Sequence, residues 1–176
     1  LIFKDFDKVY IGFINNHYSM KEEKFDIKKE YSNLKFKLPN FYDLDNEFEI
    51  SSANIKDKNF LLRNIRRRVN DKVIFYCRLI EGLIYPSTNN IINMFELKSF
   101  NEQEKENISK FYKKLMQYER ESLTLDVNPD EKKDFDYINK LWKDWQYFKK
   151  EMLKITEKMK ASWEKEDKLV KDSYFG

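Results

Sequence analysis

Histidine and cysteine occur once each in this 176-residue chain, as His17 and Cys77. A single cysteine excludes an intrachain disulfide. That fits a reducing compartment and sets a cytoplasmic, intracellular expectation. The same scarcity excludes a Cys/His zinc cluster within one chain, and the paired Glu-x-x-His of di-iron bundles is missing. A Cys77–His17 dyad is arithmetically possible, but Cys77 falls mid-helix beside inner positions, where a buried, inert thiol is expected. There is no Gly-rich phosphate loop, no Gly-x-Ser-x-Gly elbow and no dinucleotide fingerprint. No apolar run approaches the ~18 residues of a membrane span, and no signal peptide is visible. The sequence therefore calls for no cofactor, no metal, no membrane and no small-molecule site. It opens at Leu1 rather than a methionine, as a chain with residues upstream or a piece of a longer one would.

Glycine and proline number only three each. Both punctuate turns, so their scarcity predicts long uninterrupted elements, which means helices. Hydrophobic residues make up 41% and aromatics 16%, enough for a real core, while 37% are charged. Mean hydropathy is −0.82, that of a well-solvated surface. The net charge of +3 does not mark a nucleic-acid binder; only a local cluster could.

Residues 1–57 read as a small strand-containing (α+β) unit. Val9, Ile11 and Phe13 alternate, as do Leu34, Phe36 and Leu38 before Pro39, and Phe48 and Ile50 after Glu47. Ser19 and Glu22 have capping-box spacing, and a short helix could end near Asn33. Residues 58–167 read as a helical domain of three substantial helices. Helix A runs from about Lys58 to Leu83, its inner stripe being Leu62, Ile65, Val69, Val73, Tyr76, Ile80 and Leu83. A short apolar piece, 91–95, could add a turn or two. Helix B starts at Asn101, with Glu104 at capping-box spacing, and carries Ile108, Phe111, Tyr112, Leu115, Met116 and Leu123 inward. Asn128-Pro129-Asp130-Glu131 opens a very long C-terminal helix. Its stripe runs from Phe135 through Ile138, Leu141, Trp142, Trp145, Phe148, Met152, Ile155 and Met159 to Trp163. Residues 168–176 form a charged tail. The fold class is mainly α, a helical bundle with a small N-terminal unit packed on it.

Two constellations bear on function. Between Lys58 and Leu79 seven bases face one acid, Asp71. Arg63, Arg66, Arg67, Arg68 and Lys72 are candidate phosphate contacts, since arginine forks suit phosphate oxygens. On a wheel, however, Arg63 and Arg67 lie at the back, Arg66 on one flank and Arg68 on the other. Acids such as Glu102, Glu104 and Glu106 could equally neutralise such a solvated face. Carboxylates at Glu119, Glu121, Asp126, Asp130, Glu131 and Asp134 could in principle hold a cation. Glu119 and Glu121 do not face each other on a helix, and Asp130 and Glu131 suit a helix start.

The second constellation is the long helix itself. Trp142, Trp145, Tyr147 and Phe148 span more of the wheel than one core face needs. At ~60 Å this helix outruns partners of at most ~40 Å. Trp145, Tyr147, Met152, Met159 and Trp163 are thus candidate contacts for a protein partner or a second copy. Trp142 is expected in the core. The leading expectation is a non-enzymatic interaction or scaffold module. The alternative is a nucleic-acid-binding accessory protein, and an enzyme resting on carboxylates comes third.

Overall fold

In the computed structural model the described residues are 25–53, 55, 57–86 and 91–174, with side chains described as far as residue 164. They form six α-helices: α1 (Ile27–Ser32), α2 (Phe41–Phe48), α3 (Leu61–Ile84), α4 (Ile91–Lys98), α5 (Glu102–Val127) and α6 (Glu131–Tyr174). Short 3-10 turns lie at Ile50–Ser52 and Lys58–Phe60. The fold is mainly helical, and no strand occurs among the described residues.

The strand expectation fails at both places where it can be checked. Leu34, Phe36 and Leu38 do alternate inward, packing on the core while Lys35 and Lys37 point to water. But the segment is irregular and lies against helices, which offer no free backbone groups for a ladder. Alternation here reflects an extended chain pinned to a helical surface. At Glu47–Ile50 the alternation comes from a helix end. Phe48 closes α2, Glu49 takes a left-handed conformation (φ 54°), and Ile50 turns back into the core. The Val9–Phe13 strand and the Ser19 capping box lie outside the described residues.

Helix starts and stops follow local chemistry. Asp26 caps α1, accepting from the Lys28 and Lys29 N–H groups, and Asn33 ends it as expected. Asn101 and Glu104 close a reciprocal capping box on α5. At the next boundary the roles differ from the sequence reading. Asn128 ends α5, its N–H donating to the Thr124 carbonyl. Asp130 starts α6, its carboxylate accepting from the Lys133 N–H at 3.0 Å.

α3, α5 and α6 form the bundle. α3 and α6 run parallel, since Arg66 meets Asp134, Asn70 meets Tyr137 and Tyr76 meets Trp145. α5 runs against both: Ser122 meets Arg66 at one end, and Glu104 meets Lys158 at the other. The core is continuous from Ile65, Val69, Val73 and Ile80 through Leu115 to Tyr137, Ile138, Leu141 and Phe148. α3 sits between its two partners and is buried on two sides, so Leu61, Arg66, Asn70 and Cys77 join its inner stripe.

The long helix is an unbroken 44 residues, roughly 66 Å. It runs through residues 168–174, where a tail is expected from the sequence. α4 does more than add a turn: it covers the far end of the bundle. Gly82 admits it closely, because a Cβ there would lie 2.5 Å from Asn93 Nδ2. Phe95 then packs on Trp163, with ring centres 4.7 Å apart.

Candidate functional site

The basic helix is largely neutralised from within. Arg66 is fully buried, so it is unavailable to a phosphate. Its Nε donates to Asp134 at 2.5 Å, its Nη2 to Asp126 at 2.5 Å, and its Nη1 to the Ser122 carbonyl at 3.0 Å. Arg67 donates to Asp126 at 2.9 Å. Arg68 reaches Glu49 at 3.4 Å and Asp71 at 3.6 Å, and Lys72 reaches Glu49 at 3.5 Å. Arg63 stacks over the Phe60 ring at 5.2 Å. The acids concerned are not those the sequence nominates: Glu102, Glu104 and Glu106 pair with Lys105, Lys158 and Lys110 instead. Four of the five candidate bases thus have carboxylate partners.

Around Arg66 lies a buried polar centre at the α5–α6 turn. A guanidinium removed from water is tolerable only if its donors and charge are met. Here two aspartates and Ser122 meet them. Burial raises the Asp134 carboxyl above its ordinary value, with the Arg66 hydrogen bond opposing. At Asp126 burial also raises, but the hydrogen bonds from Arg66 and Arg67 outweigh it and hold that carboxyl low. Beside them Tyr137 donates to Asn70 Oδ1 at 2.6 Å. The available sequence signal is polar residues four apart on inner helix faces, Arg66 with Asn70 and Ser122 with Asp126.

Other candidate carboxylates have local duties as well. Glu121 pairs with Lys140 at 2.7 Å, and Asp130 caps α6. Among the described residues no group of three or more His, Cys, Asp or Glu could hold a metal ion. Cys77 is buried, and its thiol is pushed up to about 12, by burial first and then by Glu119 and Glu81. A thiol held so high is almost wholly protonated at neutral pH and is a poor nucleophile. No helix among the described residues is long and apolar enough to cross a membrane.

The contact residues proposed for the long helix divide. Trp145, nominated for a partner, is 2% exposed and lies inside; Trp142, nominated for the core, lies at its edge. Trp145 stacks on Tyr76 at 5.5 Å, packs on Phe48 at 4.6 Å, and donates its Nε1 to Glu47 at 2.8 Å. Met152 is buried, and Met159 is partly buried against the core. Trp163 is covered in part by Phe95 and donates to Glu96 at 2.9 Å. The seam is thus met largely by α4 and α5 of the same chain. Tyr147 stays half exposed, edge-on to Phe111, with Lys114 over its ring at 5.0 Å.

The α3–α6 face carries an open groove. Its lower part is taken by α2, which inserts Leu44 and Phe48. Glu47 of α2 accepts from Trp145 and, at 2.6 Å, from Lys149. Burial acts to raise the Glu47 carboxyl, but these two hydrogen bonds outweigh it and hold it low. Above Lys149 no described residue continues that cover. A groove of about 580 Å³ opens there, lined by Phe75, Tyr76 and Leu79 from α3 and by residues 146–156 of α6. Phe75 is 56% exposed and Leu153 57%. By spacing Phe75 and Leu79 widen the inner stripe, which implies a second covered side of α3; Phe75 is instead exposed at this groove, and Leu153 carries no sequence signal.

No family model, no curated protein and no solved structure matches this chain.

Proposed function

We propose that this protein is a non-enzymatic interaction module whose contact surface is the open upper half of the α3–α6 groove. The observation that carries this reading is the exposure of Phe75 and Leu153 at the end of a groove whose other half α2 already fills. With each side chain already almost half covered, leaving the remainder in water forgoes roughly 1–1.5 kcal/mol apiece, which a partner would recover in part. The rest of the described surface offers no cluster fit to hold a metal ion, many of its acids and bases pair with one another, and the lone cysteine is buried. A nucleic-acid role for α3 has less behind it, because Arg66, Arg67, Arg68 and Lys72 have carboxylate partners.

The test compares the full chain with a Phe75→Glu, Leu153→Glu double variant whose circular dichroism and melting temperature match the parent. A protein retained by the parent alone, then purified and shown to bind the parent and not the variant, is the expected result. Identical partners and affinities for both proteins would overturn the reading.

A further inference from the structure

We infer that the occupant of the open half-groove is a short amphipathic helix of another protein, carrying carboxylates along one flank. This rests on the groove being a contact surface, as proposed above, and adds the shape and charge of what fits it.

The shape follows from what the groove offers. It is bounded by two parallel helices whose backbone groups are engaged in their own helical hydrogen bonds. Extended chain does lie on helices elsewhere in this molecule, at Leu34–Leu38, but in the groove it would find no strand edge to pair with, whereas a helix satisfies its N–H and C=O groups internally. The molecule also shows the fit directly, because α2 occupies the lower half of the same face as a helix with Leu44 and Phe48 inward. Lys149 to Thr156 is eight residues of α6, spanning ~10 Å, so about two helical turns of a partner would be covered.

The charge follows from the rim. The charged residues lining the open part are Lys149 and Lys150, and no carboxylate lines it. α2 again supplies the precedent: it carries Asp43, Asp45 and Glu47 and no base, and Glu47 is the residue that meets Lys149. Lys149 is therefore already engaged. Lys150, the next residue round α6, is exposed and enters no ion pair with a described residue, which leaves it to an acid of the occupant. A basic-flanked helix would meet like charge at this position.

The experiment uses the full chain and two synthetic helical peptides with the same leucine stripe, one flanked by glutamates and one by lysines. Fluorescence anisotropy should show the glutamate peptide binding at least about threefold tighter at low salt, an advantage that shrinks as salt screens the rim. Leu153→Glu should abolish binding, and Lys150→Glu should erase or reverse the preference. Equal binding of both peptides, still lost in Leu153→Glu, overturns the acidic partner while leaving the groove in place. Binding of neither peptide overturns the inference as well. Thiol labelling of a Leu153→Cys variant separates other occupants, since buried Cys77 reacts slowly. Fast labelling supports an open groove. Slow labelling of a monomer would mean that residues 1–24 lie there, and slow labelling of a dimer that a second copy does; either result overturns the proposal.

Discussion

The lower and upper halves of the α3–α6 face begin alike and end differently. Both are lined by aromatic and aliphatic side chains at helical spacing, with Lys149 of α6 between them. In the lower half, α2 descends on the groove, Phe48 and Trp145 pack at 4.6 Å, and Glu47 ties off the indole and Lys149. In the upper half, Phe75 and Leu153 remain more than half exposed. The difference teaches what an apolar stripe does and does not specify. It says that a face can be covered, and leaves open whether the cover comes from the same chain. The basic residues of α3 carry the same lesson: Arg68 and Lys72 look like a ligand surface until Glu49 is placed over them.

That contrast can be broken most forcefully from the covered side. Trp145→Ala should cost about 3–5 kcal/mol in denaturant unfolding, as large aromatic truncations in cores do. Trp142→Ala should cost clearly less, because Trp142 sits at the core's edge. Equal losses would mean that α2 does not seat on Trp145 as described.

Of similar size is the buried polar centre. Arg66→Met should cost about 3–5 kcal/mol, because Asp134 would be left buried without its counter-charge. Adding Asp134→Leu should recover much of that loss. A double variant no more stable than the single one would show that the centre does not depend on charge balance.

Acid should then weaken the Glu47 tie that holds the covered half and the Asp126 pairs of the polar centre. Asp126 and Glu47 have carboxyls held below their ordinary values of 3.8 and 4.5. A depressed acid contributes stability that is present above its ordinary value and lost as pH falls through its folded-state value. Melting temperature should therefore drop as pH is lowered from 5 through that range. Asp134 is raised by burial and works in the opposite sense. Glu47→Gln should flatten the acid drop, and an unchanged slope in that variant would remove Glu47 from the account.

The smallest effect belongs to the open half. Phe75→Ser and Leu153→Ser should each change stability by no more than about 0.5 kcal/mol, as surface substitutions do. A loss above about 1.5 kcal/mol in either would mean that the upper groove is covered within the chain, erasing the contrast.

Much of the bundle is legible in the sequence because helix signals are local. The capping box of Asn101 and Glu104 and the stripes of α3 and α5 depend on residues three and four apart. The misreadings arise where a long-range neighbour decides. Trp142 and Trp145 are three residues apart, and their ranking depends on where α2 lands. Arg66 reads as a surface base until Asp134, 68 residues later, is brought against it. Leu123 fits helix B's stripe by spacing yet lies half exposed, while Tyr118, Ser122 and Leu125 turn inward. Alternation at Leu34–Leu38 cannot by itself distinguish a strand from an extended chain lying on helices.

By itself, then, the sequence determined the three bundle helices and most of their inner faces, while α2 went unread and its end passed for a strand. Spacing, capping and residue type are properties of a few turns of chain. Only the tertiary structure decided which tryptophan is core, which arginine is buried and which half of one groove stays open. Each of those depends on which distant segment removes a side chain from water, and no local pattern encodes that choice.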